Sequence, residues 1–381
     1  MSKEFVLTLV NCVLFSSTLH MTMPVIPLYW AFTGISEGII GFLFSLSLVG
    51  VFFATPYVSR KITCRLCRPY LFLGMALFGL PFFLYPLTDK PYLFIIFRLL
   101  QGIGTAFYFP ALYTIIGEIS PPRRRGEAMG FFGIARSLVF AAMPAMGLAF
   151  IELGGYALSF RAAGSITLLG LALILPLRLR SNPDEEGNRW PVSIGEVIRM
   201  PGVYITAFIL VVATISHGTI SFIPLWADYM GIEKVGLFYT FTAASLFVGS
   251  MLGGKLSDRF GRLQIALPCL VILSISFSAL NLLPGLIALL TAAVFFGIGF
   301  GALQVSTDAH IVGVTDPIYR GTAIAIYQAV YGSGLAMGQL FLGIAATGIS
   351  YSHVYYLPAG FAIISFMFIR AYLRTQPHGS W

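Results

Sequence analysis

Twelve apolar runs of about 20 residues follow one another through almost the whole chain. An α-helix needs about 20 apolar residues to cross the hydrocarbon core of a bilayer. Only 10% of the residues are charged, whereas soluble domains carry about 25%. We therefore predict an all-α integral membrane protein with twelve transmembrane helices and almost nothing left for a soluble domain. The predicted helices are 5–30, 38–58, 69–87, 92–117, 128–152, 157–177, 203–227, 235–256, 265–283, 286–312, 321–346 and 353–373.

Basic residues are distributed unevenly between the two sides of this predicted bundle. Of the 23 Lys and Arg residues, 18 fall in the tails, the central polar stretch and one alternate set of loops. The opposite loops hold three, Lys90, Arg161 and Lys234. Positive residues of short loops stay on the cytoplasmic side, so we predict a multi-pass protein of the cell (cytoplasmic) membrane with both termini cytoplasmic. A nucleic-acid partner would need a solvated basic and aromatic surface, and we expect none.

The only long polar stretch, residues 181–202, divides the chain into two groups of six predicted helices. We therefore predict an N-terminal six-helix bundle at 1–180, a cytoplasmic linker at 181–202 and a C-terminal six-helix bundle at 203–381.

The two groups of helices repeat one another. Gly102-Ile-Gly recurs as Gly297-Ile-Gly at an offset of 195, and a segment that begins at His20 recurs at His217 at an offset of 197. The second pair shares the pattern H-x-T-x-x-x-I-P-L followed by an aromatic residue. Self-similarity at a fixed offset is the signature of a duplicated structural unit, so the bundles are predicted to be two copies of one six-helix arrangement.

The densest charge cluster of the second half lies between two apolar runs. It reads G-x-L-x-D-R-x-G-R, from Gly254 through Asp258, Arg259 and Gly261 to Arg262. We expect the preceding helix to end before Asp258 and the polar residues to form a tight turn, for which glycine supplies the conformation. This motif resembles the cytoplasmic loop signature of the major facilitator superfamily. The resemblance implies that the loop stabilises one closed state of a transporter.

A second motif, Arg98-Leu-Leu-Gln101-Gly102, lies in the predicted helix 92–117. It resembles the superfamily's R-x-x-Q-G motif, which in proton-coupled exporters is linked with proton transfer. An arginine inside the hydrocarbon costs about 3 kcal/mol or more and normally faces a cavity or a partner. Arg98 and Gln101 are therefore candidates for the substrate and proton pathway. The alternative is a structural arginine bonded to helix carbonyls.

The resemblance covers nearly the whole chain and is closest to the drug and small-metabolite exporter branch. It implies two bundles related by a pseudo-twofold axis along the membrane normal, with the substrate site between them near the midplane. Exporters carry the signature G-x-x-x-G-P-x-x-G-G in the fifth helix. Here Pro144 and Gly147 are kept, while three glycines are replaced by Val139, Met143 and Leu148. Export is favoured, and import stays open.

Five other ionisable residues are candidates for the same pathway. Histidine titrates near neutral pH, so the repeat-related His20 and His217 could face one another and relay protons or bind an anionic or metal-chelating substrate. The alternative is that each is a hydrogen-bonded packing residue. Arg136 and Asp308 could meet across the halves as a substrate contact or gate latch, or each could bond within its own half, and His310 lies in the same predicted layer.

Aromatic residues fall into two predicted groups. Those at helix ends are typical of a membrane-interface belt, and they include Tyr29, Tyr85, Trp226 and Tyr229. A second group could line a cavity for an organic substrate, and its members are Phe107, Tyr108, Tyr327 and Tyr331.

These observations together predict a secondary active transporter and not an enzyme. We expect it to move a small organic solute by alternating access, as a proton-coupled exporter and as a monomer in the lipid bilayer. The alternatives are a proton-coupled importer of a nutrient or metal-chelating metabolite and a transporter-like sensor that moves nothing. No zincin, P-loop, nucleophile-elbow or deaminase pattern is present. A lone Cys64-x-x-Cys67 is a weak signal for a metal or redox site, so we expect no cofactor and no bound metal.

Overall fold

A computed structural model describes residues 3–62, 64–120, 125–177, 194–315, 320–349 and 351–375. All regular structure in these ranges is helical, with no strand among them. The contacts divide the chain into two compact units, Met1–Arg189 and Trp190–Trp381. Each unit is described by itself below.

The N-terminal unit consists of long helices joined by short connections. The long helix α1 packs along α6, while α5 packs against both α2 and α3. The helices are α1 (Lys3–Phe32), α2 (Glu37–Lys61), α3 (Cys64–Gly79), α4 (Pro81–Leu84), α5 (Pro91–Ile119) and α6 (Arg125–Ile174), with a 3-10 turn at Tyr85–Leu87.

The C-terminal unit has the same kind of packing, in which α12 lies against α10 and α11, and α13 lies against α8. Its helices are α7 (Ile194–Ile198), α8 (Pro201–Gly218), α9 (Ile223–Tyr229), α10 (Gly236–Phe260), α11 (Arg262–Leu282), α12 (Gly285–Val314), α13 (Arg320–Gly348), α14 (Tyr351–Val354) and α15 (Tyr356–Thr375), with a 3-10 turn at Thr219–Phe222.

The all-α membrane fold is confirmed. Within the described residues, 10 helical segments are long and apolar enough to cross a membrane, and Tyr356–Ala371 is a shorter apolar helix. The 50-residue helix α6 is broken by non-helical backbone at Gly154 and Gly155. Because the predicted helices 128–152 and 157–177 lie on the two sides of this break, the structure is consistent with twelve spans. Of the predicted linker, 181–193 lies outside the described residues, and 194–202 holds α7 and the start of α8.

The two copies of the internal repeat form the same close backbone contact between helices. A Cβ placed on Gly102 would lie 2.0 Å from the Ser47 carbonyl oxygen, where α5 crosses α2. At the same offset of 195, a Cβ on Gly297 would lie 2.5 Å from the Thr242 carbonyl oxygen, where α12 crosses α10. Small residues let transmembrane helices approach this closely. Both units are therefore built around the same glycine-dependent helix crossing.

The polar turn of the charge cluster is shorter than predicted. Helix α10 continues through Asp258 and Arg259 to Phe260, and Gly261 alone makes the turn with φ 97°. The prediction that the helix ends before Asp258 was wrong, because loss of apolar character marks the edge of the membrane and not the end of a helix. A basic residue in the last turn, here Arg259, also stabilises a helix C-terminus.

The predicted interface belt is corrected for three of its four residues, whereas the fourth, Tyr229, is 61% exposed. The side chains of Tyr85 and Trp226 are 0% and 1% exposed, and Tyr29 is 8% exposed. The Tyr29 hydroxyl donates to the carbonyl oxygens of Tyr85 and Thr88, both at 2.9 Å. These residues pack inside their units, so a position near a helix end was not sufficient to place a side chain at the membrane interface.

Candidate functional site

Arg98 lies on α5 and is held against α2. Its Nη2 donates to Ser47 Oγ at 2.9 Å and to the Phe44 carbonyl at 3.3 Å, and its Nε donates to the Leu43 carbonyl at 3.4 Å. The guanidinium also lies over the Phe44 ring, 4.9 Å from its centroid. Its Nη1 donates to Gln101 Oε1 at 2.9 Å. These contacts fit the structural alternative, in which Arg98 bonds helix carbonyls.

Three further donors are buried in the same unit. A guanidinium can only donate, so its bond to Oε1 fixes the Gln101 amide with Nε2 turned away. Among the described residues, Gln101 Nε2 and Trp30 Nε1 are buried without a hydrogen-bond partner, and the buried Tyr85 hydroxyl interacts with the Arg98 guanidinium. Leaving such a group unsatisfied costs about 1–3 kcal/mol. The N-terminal unit therefore holds unsatisfied polar groups inside its apolar interior.

The repeat does not extend to this polar cluster. At the offset of 195, Arg98 corresponds to Ala293 and Gln101 to Phe296. Both of the counterparts are fully buried in the C-terminal unit. The two units share a helix crossing but differ in the chemistry beside it, so the charged contact belongs to one unit.

The two repeat-related histidines have different surroundings. His20 is half-buried in α1, and its ring meets the Phe140 ring edge-on at a centroid distance of 5.0 Å. His217 is buried near the end of α8, 4.6 Å from the Phe300 ring by centroids. Its Nδ1 lies 3.1 Å from the Tyr331 hydroxyl of α13. The predicted approach of the two histidines to one another joins different units and stays a prediction.

Asp308 occupies an exposed position of α12 within the apolar span Gly285–Ile311. It interacts electrostatically with the Tyr327 hydroxyl of α13. That hydroxyl lies 3.0 Å from Thr307 Oγ1. His310, two residues further along α12, is buried. The structure therefore brings a carboxylate, a phenol and a hydroxyl together between α12 and α13.

Arg136 lies half-buried on α6. Its Nη1 donates to the Tyr113 hydroxyl at 3.0 Å, and its guanidinium lies over the Phe109 ring, 5.1 Å from the centroid. Both aromatic residues belong to α5 of the same unit. The predicted meeting of Arg136 with Asp308 joins the two units and stays a prediction.

The charge-cluster residues link three helices of the C-terminal unit. Arg262 begins α11, and its Nη1 donates to the Ala309 carbonyl of α12 at 2.6 Å. Asp258 and Arg259 are exposed in the last turn of α10, and Gly254 lies one turn earlier. A cation near the end of a helix is favoured by the helix dipole, so Arg262 stabilises the packing of α11 on α12.

Sequence reasoning missed two hydroxyl residues of this site. Ser47 accepts a bond from Arg98, and Thr307 contacts Tyr327. Hydroxyl residues are common in membrane helices, so each looked unremarkable in isolation. A usable signal existed for Ser47, because its position corresponds to Thr242 at the repeat offset of 195. Within the described residues, no group of three or more His, Cys, Asp or Glu side chains could hold a metal ion.

Comparison with known proteins decides the family. A family model described as Major Facilitator Superfamily matches residues 6–248 and 234–381. The chain belongs to the major facilitator superfamily. Members of this family are transporters, so the protein is a multi-pass membrane transporter of small molecules.

Relatives within the superfamily are distant but extend over the full length. Multidrug resistance protein 2 of Bacillus subtilis is 22% identical over 377 residues, which are 94% of this chain and 92% of the relative. The multi-drug resistance efflux pump PmrA homolog of Lactococcus lactis is 23% identical over 98% of this chain and 96% of its own length. The exporter branch is thus the part of the superfamily that the chain resembles.

Solved structures of superfamily transporters share the fold. The nucleoside transporter NupG covers 98% of this chain and 100% of its own, with a TM-score of 0.76 at 12% sequence identity. At this identity the likeness shows the fold alone.

Proposed function

We propose that the protein exports a small organic solute across the cytoplasmic membrane by alternating access, in exchange for protons. The observation that carries this proposal is the likeness to Multidrug resistance protein 2, which extends over more than nine-tenths of both chains. A relative named an efflux pump matches over a similar extent. Ionisable residues inside membrane segments mark ion and proton pathways, and this chain carries several.

The ionisable residues divide into three proposed roles. Asp308, His217, His310 and His20 are the proposed proton-carrying groups, because carboxylates and imidazoles inside membrane segments form the proton relays of pumps and transporters. Arg136 is the proposed substrate contact, because its half-buried guanidinium lies over an aromatic ring. Arg98 and Gln101 are the proposed positioning pair, since their described contacts hold α5 to α2.

The charge cluster is the proposed gate. Gly254, Asp258, Arg259, Gly261 and Arg262 lie where α10, α11 and α12 come together. We infer that this end is cytoplasmic, that both termini lie on that side and that the linker 181–202 joins bundles 1–180 and 203–381. We also infer that a monomer is sufficient for transport.

Vesicle transport tests this function. Inside-out membrane vesicles from cells that produce the protein are acidified inside and given ethidium, an organic cation, or fluorescein, an organic anion. We expect at least one dye to accumulate, a protonophore to abolish the accumulation, and vesicles without the protein to show none.

The rival functions give different results in the same experiment. An importer would accumulate dye in right-side-out vesicles and not in inside-out ones. A sensor would bind dye with no flux in either preparation. Accumulation that persists with the protonophore would contradict proton exchange.

A further inference from the structure

Two tyrosines on α13 connect the titratable groups of α8 and α12. Tyr327 and Tyr331 are four residues apart, and residues at this spacing lie on the same face of a helix. The Tyr331 hydroxyl lies 3.1 Å from His217 Nδ1. The Tyr327 hydroxyl lies beside Asp308 and 3.0 Å from Thr307 Oγ1. One face of α13 therefore places one phenol beside Asp308 and another beside His217.

We propose that Asp308, Tyr327, Tyr331 and His217 form one proton relay through the C-terminal unit. The proposal rests on the proton exchange proposed above and assigns its path. The two tyrosine hydroxyls are the residues that it adds, since neither is acidic enough to be recognised as a proton carrier by residue type.

The hydrogen bonds around Tyr327 can reverse without movement of the chain. Thr307 Oγ1 has the carbonyl oxygens of Leu303 and Gln304 within 3.0 Å, and either atom of the Thr307–Tyr327 pair can be the donor. When Asp308 is ionised, Tyr327 donates to the carboxylate and Thr307 donates to Tyr327. When Asp308 is protonated, it donates to the Tyr327 oxygen, Tyr327 donates to Thr307, and Thr307 donates to a helix carbonyl. The hydroxyl pair thus responds to the charge of Asp308.

The other end of the relay is the buried imidazole. The Tyr331 hydroxyl can donate to an unprotonated Nδ1 of His217 or accept from a protonated one. A charge is costly in an apolar environment, and the His217 ring lies between aromatic neighbours, with Phe296 and Phe300 at centroid distances of 5.7 and 4.6 Å. The imidazolium is therefore a passing state and not a resting one.

One proton moves from Asp308 to His217 by successive transfers. The Asp308 carboxylate takes up a proton and forms an O–H bond, then gives that proton to the Tyr327 oxygen as the Tyr327 proton leaves. The Tyr327 proton turns from Thr307 to a water molecule between the tyrosines and is transferred to that water. The water gives one of its own protons to the Tyr331 oxygen, and the Tyr331 proton moves to the unprotonated Nδ1 of His217. The carboxylate, both phenols and the water are regenerated, and the imidazole becomes imidazolium.

Other charged groups lie near the Asp308 end. Arg262 bonds the carbonyl of Ala309, and it interacts electrostatically with His310. Arg262 and His310 are therefore the charged and titratable side chains beside the Asp308 end of the relay.

Tyrosine-to-phenylalanine variants test the relay, because they remove only a hydroxyl. Purified protein in proteoliposomes is assayed with whichever of ethidium and fluorescein the unaltered protein carries. Tyr327→Phe and Tyr331→Phe should each lower proton-driven transport at least tenfold, and by a larger factor than they lower dye exchange without a pH gradient. The matched control is Tyr355→Phe, which removes a buried hydroxyl that donates to the Thr219 carbonyl at 3.3 Å in the same unit and should leave both rates intact.

A second pair of variants separates the relay from packing. Thr307→Val removes the reversible hydroxyl and should lower the proton-driven rate, whereas Thr307→Ser should restore it. Proton-driven transport within twofold of the unaltered protein in Tyr331→Phe would overturn the relay alone. If the unaltered protein carries dye without any response to the pH gradient, proton exchange fails and the relay fails with it.

Discussion

Replacement of Gly102 by alanine tests the helix crossing on which the N-terminal unit is built. The added Cβ would lie 2.0 Å from the Ser47 carbonyl oxygen, and its next neighbours, at 2.8 and 2.9 Å, are also backbone atoms of Ser47. Non-bonded heavy atoms settle at about 3.5–4.0 Å, so α5 and α2 would have to separate by roughly 1.5 Å. No rotamer change can relieve a contact with backbone.

The separation would also break the Arg98 contacts. Its bonds to α2 have lengths of 2.9–3.4 Å, and an extra ångström or more takes each beyond hydrogen-bonding distance. Overpacking costs about 1–3 kcal/mol, and each lost bond adds about 1 kcal/mol. The gain of about 1 kcal/mol in helix propensity offsets part of this. We expect Gly102→Ala to lower the free energy of unfolding by about 3–5 kcal/mol.

Unfolding in mixed micelles of a mild detergent and dodecyl sulfate measures this loss. Gly117→Ala on the same helix is the control, because its Cβ would meet nothing within 4 Å among the described residues, and it should be neutral or stabilising by up to about 1 kcal/mol. Gly297→Ala should cost less than Gly102→Ala, since Ala293 replaces the arginine there. If Gly102→Ala and Gly117→Ala agree to within about 0.5 kcal/mol, the reasoning about the crossing is refuted.

Three further substitutions give independent tests by the same unfolding measurement. Gly261→Ala should cost about 1–3 kcal/mol, because φ 97° is strained for a residue with a Cβ. Gly254→Ala should be neutral, because among the described residues its Cβ would meet only a side-chain atom, at 3.8 Å. Equal effects of the two substitutions would contradict this. Tyr239→Phe should be neutral or stabilising by about 1 kcal/mol, since its buried hydroxyl has no hydrogen-bond partner among the described residues. A clear loss of stability would show that this hydroxyl is hydrogen-bonded after all. Asn11→Leu should cost about 2–4 kcal/mol, because it leaves the Tyr108 hydroxyl and a buried carbonyl unsatisfied, and a value below about 1 kcal/mol would contradict the buried network.

The sequence was sufficient for the helices because the bilayer sets their length. The predicted helix 38–58 is α2, Glu37–Lys61, and the predicted helix 265–283 is α11, Arg262–Leu282. The same reasoning failed where polar residues continue a helix, as Asp258 and Arg259 do. Hydropathy indicates where the chain leaves the lipid, whereas helix α10 itself ends at Gly261, where the backbone turns.

The site was less predictable than the fold. Arg98 is identified by residue type, because a charge in an apolar run is conspicuous, and Gln101 is identified by the resemblance to the R-x-x-Q-G motif. Their partners on α2 were not found, since hydropathy does not determine which faces of two apolar helices meet. The burial of Tyr85 and Trp226 was missed for the same reason. Contacts such as Thr307 with Tyr327 require the register between helices, which the sequence pattern does not contain.

Proton exchange by a solute exporter can be measured through the pH inside sealed proteoliposomes. A pH-sensitive dye is enclosed with the protein reconstituted in the membrane, and a gradient of the transported organic dye is imposed with no initial pH difference. We expect the lumenal pH to change in the direction of proton movement opposite to solute flux, and Tyr331→Phe to abolish the change. Solute flux through the unaltered protein with a constant lumenal pH would rule out proton exchange.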